Sequence, residues 1–261
     1  MDQLGKRLVS SGILVALTIF TIFFSPQWFF FLVVEAFVLV AFNEFLGIVG
    51  KKGVIIQRPL AFFLAGLIPV SVLLDADSFV WMLTCLLLFL VYFHPKLREQ
   101  ALIPVSVTLF GLLYTSWFFS HLLKMRDLVS GPQWVFYTIL LAKMGDAGAY
   151  FVGKNYGRMK LIEHISPHKS IEGAVGGLLT TLVCSLLSKS YLPHVAISHL
   201  LVLGVLVGII AQLGDLGESL LKRDAGIKDS GNLPGLGGIL DVLDSLLLTI
   251  PFVYYYASRL S

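Results

Sequence analysis

The chain has 261 residues, of which 57% are hydrophobic and 13% charged, and its mean hydropathy is +0.86. Soluble domains carry about 25% charged residues, so a water-soluble globular protein is excluded. Continuous apolar runs in place of apolar–polar alternation argue against a β-barrel. The net charge of +3, from 19 Lys and Arg against 16 Asp and Glu, says little by itself, and no nucleic-acid partner is expected.

Runs long enough to cross a hydrocarbon core of about 30 Å as helices recur along the chain. They predict spans at approximately 10–25, 27–49, 59–74, 78–94, 101–123, 132–153, 170–188, 196–217 and 239–258. The expected fold class is therefore all-α: a polytopic integral membrane protein with about nine transmembrane helices. Lys6 and Arg7 precede the apolar stretch Gly12–Phe24, but Ser25, Pro26, Gln27 and Trp28 follow without a small-x-small cleavage site. This stretch reads as a retained first helix. Pro69, Pro104 and Pro251 fall inside predicted spans, where each is expected to kink its helix. Cys85 and Cys184 both lie within spans and read as small apolar fillers. No internal repeat is visible. The chain divides into residues 1–130, holding spans one to five, and a catalytic region 131–261 with loops 154–169 and 218–238.

The basic residues set an orientation. Fourteen fall on one side if spans alternate: Lys6, Arg7, Lys51, Lys52, Arg58, Lys96, Arg98, Lys154, Arg158, Lys160, Lys169, Lys222, Arg223 and Lys228. Four fall on the other, Lys124, Arg126, Lys189 and Arg259. The positive-inside rule then places the N-terminus and both long loops in the cytoplasm.

Ionisable side chains inside a span cost about 2.5–3.5 kcal/mol on insertion scales and mark functional sites by default. The first half has Glu35 and Glu44. The second half has Lys143 with Asp146, Asp215 with Glu218, and Asp241 with Asp244. Each pair is spaced three apart and shares a helix face. Lys143 and Asp146 are equally readable as a structural ion pair. Carboxylates converging from two helices at a membrane edge suit Mg²⁺, which takes hard oxygen ligands and keeps positions for water and phosphate. Asp215 and Asp241 are the first candidates, with Asp244, Asp146 and Glu218 in support. Between the pairs, Lys222, Arg223 and Lys228 share a loop with Gly235, Gly237 and Gly238. Cations, glycines and the helix start after Gly238 together predict phosphate binding. In the other loop, Ser166 and Ser170 are candidate helix caps. Lys169 would sit at a helix start, where a cation is disfavoured unless an anion joins it.

The series Glu218-Ser219-Leu220-Leu221-Lys222-Arg223, Lys228-Asp229 and Leu233-Pro234-Gly235-Leu236-Gly237-Gly238-Ile239-Leu240-Asp241 resembles the signature of the phosphatidate cytidylyltransferase family. Ser166-Pro167-His168-Lys169-Ser170-Ile171-Glu172-Gly173 is similar to that family's second block, and Asp146, Tyr150, Gly153 and Gly157 to the segment before it. The resemblance covers about residues 140–256. It departs at Leu236 and Val242, where the family usually has histidine and arginine. It implies that CTP and phosphatidic acid give CDP-diacylglycerol and pyrophosphate, in phospholipid biosynthesis at a bacterial inner membrane with the site facing the cytoplasm. It further implies catalytic roles for Asp215, Asp241, Lys222, Arg223, Lys228 and Asp229. Substrate contacts are implied for Ser166, Lys169, Ser170, Glu172, Gly235, Gly237 and Gly238, and Mg²⁺ ligation for Asp215, Asp241, Asp244 and Asp146. A second, monovalent cation and a homodimer are left open. Two alternatives stand beside this reading, a cytidylyltransferase for another lipid phosphate such as an isoprenoid ether lipid, and an ion-coupled transporter.

Overall fold

The computed structural model describes residues 3–94, 101–232 and 237–260; Lys96 and Arg98 of the charge pattern lie outside them. Helix dominates. Four helices come first: α1 (Gln3–Phe23), α2 (Gln27–Lys51), α3 (Arg58–Leu73) and α4 (Asp77–Tyr92). A long fifth span follows, made of α5 (Leu102–Gly111), a π-helical segment (Leu112–Trp117) and α6 (Phe118–Arg126). Then come α7 (Gly131–Tyr156), α8 (Ile171–Leu187), α9 (Ile197–Asp224), α10 (Ile239–Leu247) and α11 (Thr249–Ala257). Six helices among the described residues are long and apolar enough to cross a membrane, namely Gln27–Lys51, Leu102–Arg126, Gly131–Tyr156, Ile171–Ser190, Ile197–Asp224 and Ile239–Ala257. α3 and α4, also apolar, have 16 residues each.

The loop predicted over 154–169 is not irregular. It folds into an antiparallel hairpin of β1 (Lys160–Ile162) and β2 (Ser166–Ser170), the one departure from an all-helical chain among the described residues. α10 and α11 are one span broken at Leu248. Pro251 has no N–H to return to the carbonyl of Leu247, so the ladder opens one turn before it.

Phe42, Leu64, Ile68, Leu112, Leu123, Trp134, Tyr137 and Leu141 are fully buried, and many other large apolar side chains, Phe24, Trp28, Phe63 and Leu213 among them, face outward. An apolar exterior is what lipid requires. Several hydroxyl side chains inside the spans satisfy themselves locally. Thr108, Thr115, Ser120, Thr138, Thr181 and Thr249 each donate to the carbonyl four residues back, which removes the cost of an unpaired hydroxyl in hydrocarbon.

The closest helix pair is α7 with α8, and its cause is a stripe of small residues. A Cβ on Gly177 would lie 2.9 Å from the carbonyl oxygen of Gly145, and one on Gly173 would lie 2.8 Å from that of Ala149. Residues 145, 149 and 153 recur every four positions, the small-x-x-x-small pattern that lets two backbones touch. This contact delivers the start of α8, with Lys169 and Ser170, to the face of α7 that carries Asp146. α2 packs against α10, and α6 against α7 and α11, so helices from both halves share one interior.

Candidate active site

The carboxylate pairs divide between two adjoining clusters. Asp215 and Glu218 lie one turn apart on α9, and Asp241 and Asp244 one turn apart on α10. Each pair sends one member to each cluster.

The first cluster joins α7, α9, α10 and the hairpin. Lys143 Nζ lies 3.3 Å from Asp146 Oδ2 and 4.0 Å from Asp244 Oδ1, and donates to Ser245 Oγ at 3.0 Å. Ser245 Oγ in turn donates to Asp146 Oδ2 at 2.8 Å. Lys169 Nζ pairs with Asp215 Oδ2 at 2.6 Å. Asp146, Asp215 and Asp244 lie close enough to repel one another. Lys143 and Asp146 are thus a helix-face ion pair and also part of the cluster. The conflict of Lys169 with its helix start is met by Asp215.

A cavity of about 560 Å³ opens beside this cluster, lined by Asp146, Tyr150, Ser166, His168, Lys169, Ser170 and Asp215 among others. Its apolar wall includes Ala149, Leu161, Ala174 and Leu216. Ser170 caps α8 by accepting from the Gly173 N–H at 3.1 Å, whereas Ser166 begins β2. Glu172 does not line the cavity. Its carboxylate accepts from the backbone N–H groups of Arg158, at 3.0 Å, and Met159, and so anchors the hairpin.

The second cluster centres on Lys222, whose ammonium pairs with Glu218 and Asp241. Asp241 Oδ2 also accepts from Ser230 N at 2.8 Å, Ser230 Oγ at 2.9 Å and Gly238 N at 2.6 Å. Gly237, at φ +81°, turns the chain tightly against that carboxylate. The N–H groups of Ile239 and Leu240 donate to Glu44 of α2, at 3.0 and 2.7 Å. The start of α10, expected from Gly237 and Gly238 to be an open anion cradle, is thus filled by two of the protein's own carboxylates. Arg223 is engaged with the carbonyls of Ile165 and Ile227, tying the hairpin to the end of α9. Lys228 and Asp229 are exposed. Gly235 and Leu236 lie outside the described residues. Val242, in place of an arginine, follows Asp241 on α10.

Residues of the first half also reach this end of the molecule, Glu44 and Tyr114 among them. Glu44 stood out in the sequence only as a carboxylate inside a span. Tyr114 did not stand out. It sits in the π-helical segment, stacked on Phe110, 6% exposed, within electrostatic reach of Glu218, Asp244 and Asp215. Its hydroxyl has no hydrogen-bond partner among the described residues.

Among the described residues no three His, Cys, Asp or Glu side chains close a metal cage. The donor chemistry of the first cluster still fits Mg²⁺: three carboxylates within electrostatic reach of one another beside a serine hydroxyl, all hard oxygen donors. Asp241 adjoins this group one turn away and spends both oxygens on Lys222, Ser230 and Gly238.

Helices of membrane-spanning length, carboxylates and lysines gathered on α7, α9 and α10, and a cavity between helices define an integral membrane protein with a polar site among its helices. The chain belongs to the cytidylyltransferase family, which matches residues 5–260. It is 33% identical over 284 residues to a phosphatidate cytidylyltransferase of Synechocystis sp., covering 96% of this chain and 95% of that one. To the phosphatidate cytidylyltransferase of Bacillus subtilis it is 40% identical over 155 residues, 57% of this chain and 56% of that one. To that of Haemophilus influenzae it is 36% identical over 184 residues, 66% and 64% respectively. Family membership makes the protein a nucleotidyltransferase and removes the transporter alternative.

Proposed function

We propose that the protein is a phosphatidate cytidylyltransferase, converting CTP and phosphatidic acid to CDP-diacylglycerol and pyrophosphate. A phosphate oxygen of the lipid forms a bond to the α-phosphorus of CTP. The bond from that phosphorus to the oxygen bridging to the β-phosphate breaks, and pyrophosphate leaves with the electron pair. The attacking phosphate is already ionised near neutral pH, so the site needs positioning and charge neutralisation more than a strong base. The observation that carries the reading is the cavity bordered by Asp146, Lys169 and Asp215, polar at one end and apolar along its wall, within the stretch that bears the family signature.

Mg²⁺ is the proposed metal, and when bound it would neutralise triphosphate charge and orient the leaving group. Asp146, Asp215 and Asp244 would hold it, with Asp241 adjoining. Lys143 and Lys169 balance those carboxylates and would turn to phosphate oxygens instead. Arg223, Lys228 and Asp229 would serve the nucleotide from the loop, together with Gly235. Ser166 and Ser170 would contact the lipid phosphate from the cavity floor. The proposal includes nine spans, residues 131–261 carrying most of the site, a cytoplasmic N-terminus and a site facing the cytoplasm of a bacterial inner membrane. A homodimer is compatible with it.

Purified protein in mixed micelles, given labelled CTP, Mg²⁺ and phosphatidic acid, should release pyrophosphate only when all three are present. Release with an isoprenoid ether lipid phosphate but not with phosphatidic acid would move the assignment to that acceptor. No release with either would end it.

A further inference from the structure

Building on the cytidylyltransferase reading, we infer that Glu44 of α2 is a positioning residue of the active site, holding α10 at the depth and rotation that Asp241 and Asp244 require.

α10 needs an external anchor. It is nine residues long and its hydrogen-bond ladder is interrupted at Leu248, where the backbone stays helical, so its N-terminal turn depends on what meets the free N–H groups there. Successive residues on a helix turn through about 100°, and a slip of one position would carry Asp241 and Asp244 off their clusters. Glu44 supplies the anchor. Its two oxygens take one helix N–H each, Ile239 N at Oε1 (3.0 Å) and Leu240 N at Oε2 (2.7 Å). Fixing two consecutive N–H groups on one rigid carboxylate sets both the height and the azimuth of the helix. The charge is well matched, since these are the unpaired donors at the positive end of the helix dipole.

Glu44 also reaches Asp241 through one hydroxyl. Ser230 Oγ lies 2.9 Å from Glu44 Oε2 and 2.9 Å from Asp241 Oδ2. The chain of contacts therefore runs from Glu44 through Ser230 to Asp241, and on to Lys222 and Glu218. The glycines of this loop clear the space. A Cβ on Gly231 would meet Glu44 Oε1 at 2.5 Å, and one on Gly238 would collide with Glu44 Oε2 and Ser230 Oγ. Glycines that look from sequence like an approach path for substrate phosphate here make room for a carboxylate from the other half of the chain.

Two variants test the role. Glu44→Gln keeps the size but turns an NH₂ toward one of the helix N–H donors, so only one of the two bonds survives. Ser230→Ala removes only the hydroxyl bridge. For Glu44→Gln, kcat should fall at least about tenfold, the scale of loss expected when reacting groups are misplaced by a fraction of an ångström. KM for the lipid should stay within about twofold, because the cavity wall is untouched. Ser230→Ala should cost about threefold on the intact background and nothing further on the Glu44→Gln background, since both act along one chain of contacts. Amide hydrogen exchange supplies a readout independent of turnover. It should quicken at Ile239 and Leu240 in Glu44→Gln and stay unchanged in α7 and α8. A kcat within twofold of wild type would overturn the inference. So would faster exchange throughout the molecule, which would make Glu44 a residue of the fold as a whole. If the wild-type protein turned over no CTP, the functional reading would fall, and the exchange comparison would still decide whether Glu44 holds α10.

Discussion

Lys222 is one ammonium held between two carboxylates in a setting that water barely reaches; its residue exposure is 8% and that of Glu218 is 0%. Removing one partner of such a group leaves buried charge uncompensated, at a cost of about 3–5 kcal/mol. Lys222→Met should therefore lower the thermal unfolding midpoint sharply in detergent. Adding Glu218→Gln to it should recover part of the loss, because one stranded charge is then gone. Two additive losses would mean that the pair does not interact. In the first cluster, Asp215→Asn and Asp244→Asn should each reduce CTP-dependent pyrophosphate release by roughly a hundredfold, the size of effect typical when one group stabilising transition-state charge is removed. Near-normal turnover in both, at normal expression, would remove these aspartates from the metal assignment.

The elements explain how scattered residues reach one place. The face of α7 marked by Gly145 and Ala149 packs directly on Gly173 and Gly177 of α8. Gly177→Val should force the two backbones apart and separate Lys169 from Asp146, so activity should drop at least about tenfold while the protein still inserts. A fully active Gly177→Val enzyme would show that the close approach is not needed. The π-helical turn in the fifth span makes a different prediction. The hydroxyl of Tyr114 is buried and unpartnered among the described residues, and an unsatisfied buried polar group costs about 1–3 kcal/mol. Tyr114→Phe should then leave stability equal or higher in a thermal melt. A clear decrease would reveal that the hydroxyl has a partner in the working enzyme, such as bound substrate or water. π turns of this kind occur often at functional sites.

At the scale of the whole molecule, the helical plan and the polar end of α7, α9 and α10 were legible in the sequence. Apolar run length and the three-residue spacing of Asp215–Glu218 and Asp241–Asp244 are local signals: helices form along the apolar runs, six of them among the described residues long enough to cross a membrane, and each pair stays on one helix. The partition of those pairs was not legible. Which member of a pair faces which neighbour depends on the rotation of α9 against α10, and the rotation is set by packing. Glu44 was noticed but not assigned, because its partners are backbone N–H groups 195 and 196 positions away. The β1–β2 hairpin was read as plain loop because Lys160–Ile162 is too short to show alternation. Glu172, which the family resemblance implies to be a substrate contact, also anchors the hairpin through the N–H groups of Arg158 and Met159. Pro251 was read as a kink and the ladder opens one turn before it, whereas Pro69 lies within the unbroken α3 and Pro104 in the first turn of α5, where its missing N–H has no partner to lose.

The two 16-residue helices, α3 and α4, have a consequence for the surrounding lipid. At 1.5 Å per residue each is about 24 Å long, some 6 Å short of a typical hydrocarbon core. Under the proposed nine-span arrangement, lipid beside them would compress or the ends of these helices would sink, and either distortion has an energetic cost per ångström. In that arrangement a membrane dented on that flank would bring its headgroups inward, closer to a site that takes a lipid by its phosphate. Reconstituted in bilayers of graded acyl length, the enzyme should work fastest in thin ones at matched substrate fraction. A rate that ignored thickness would show that the flank leaves the bilayer flat.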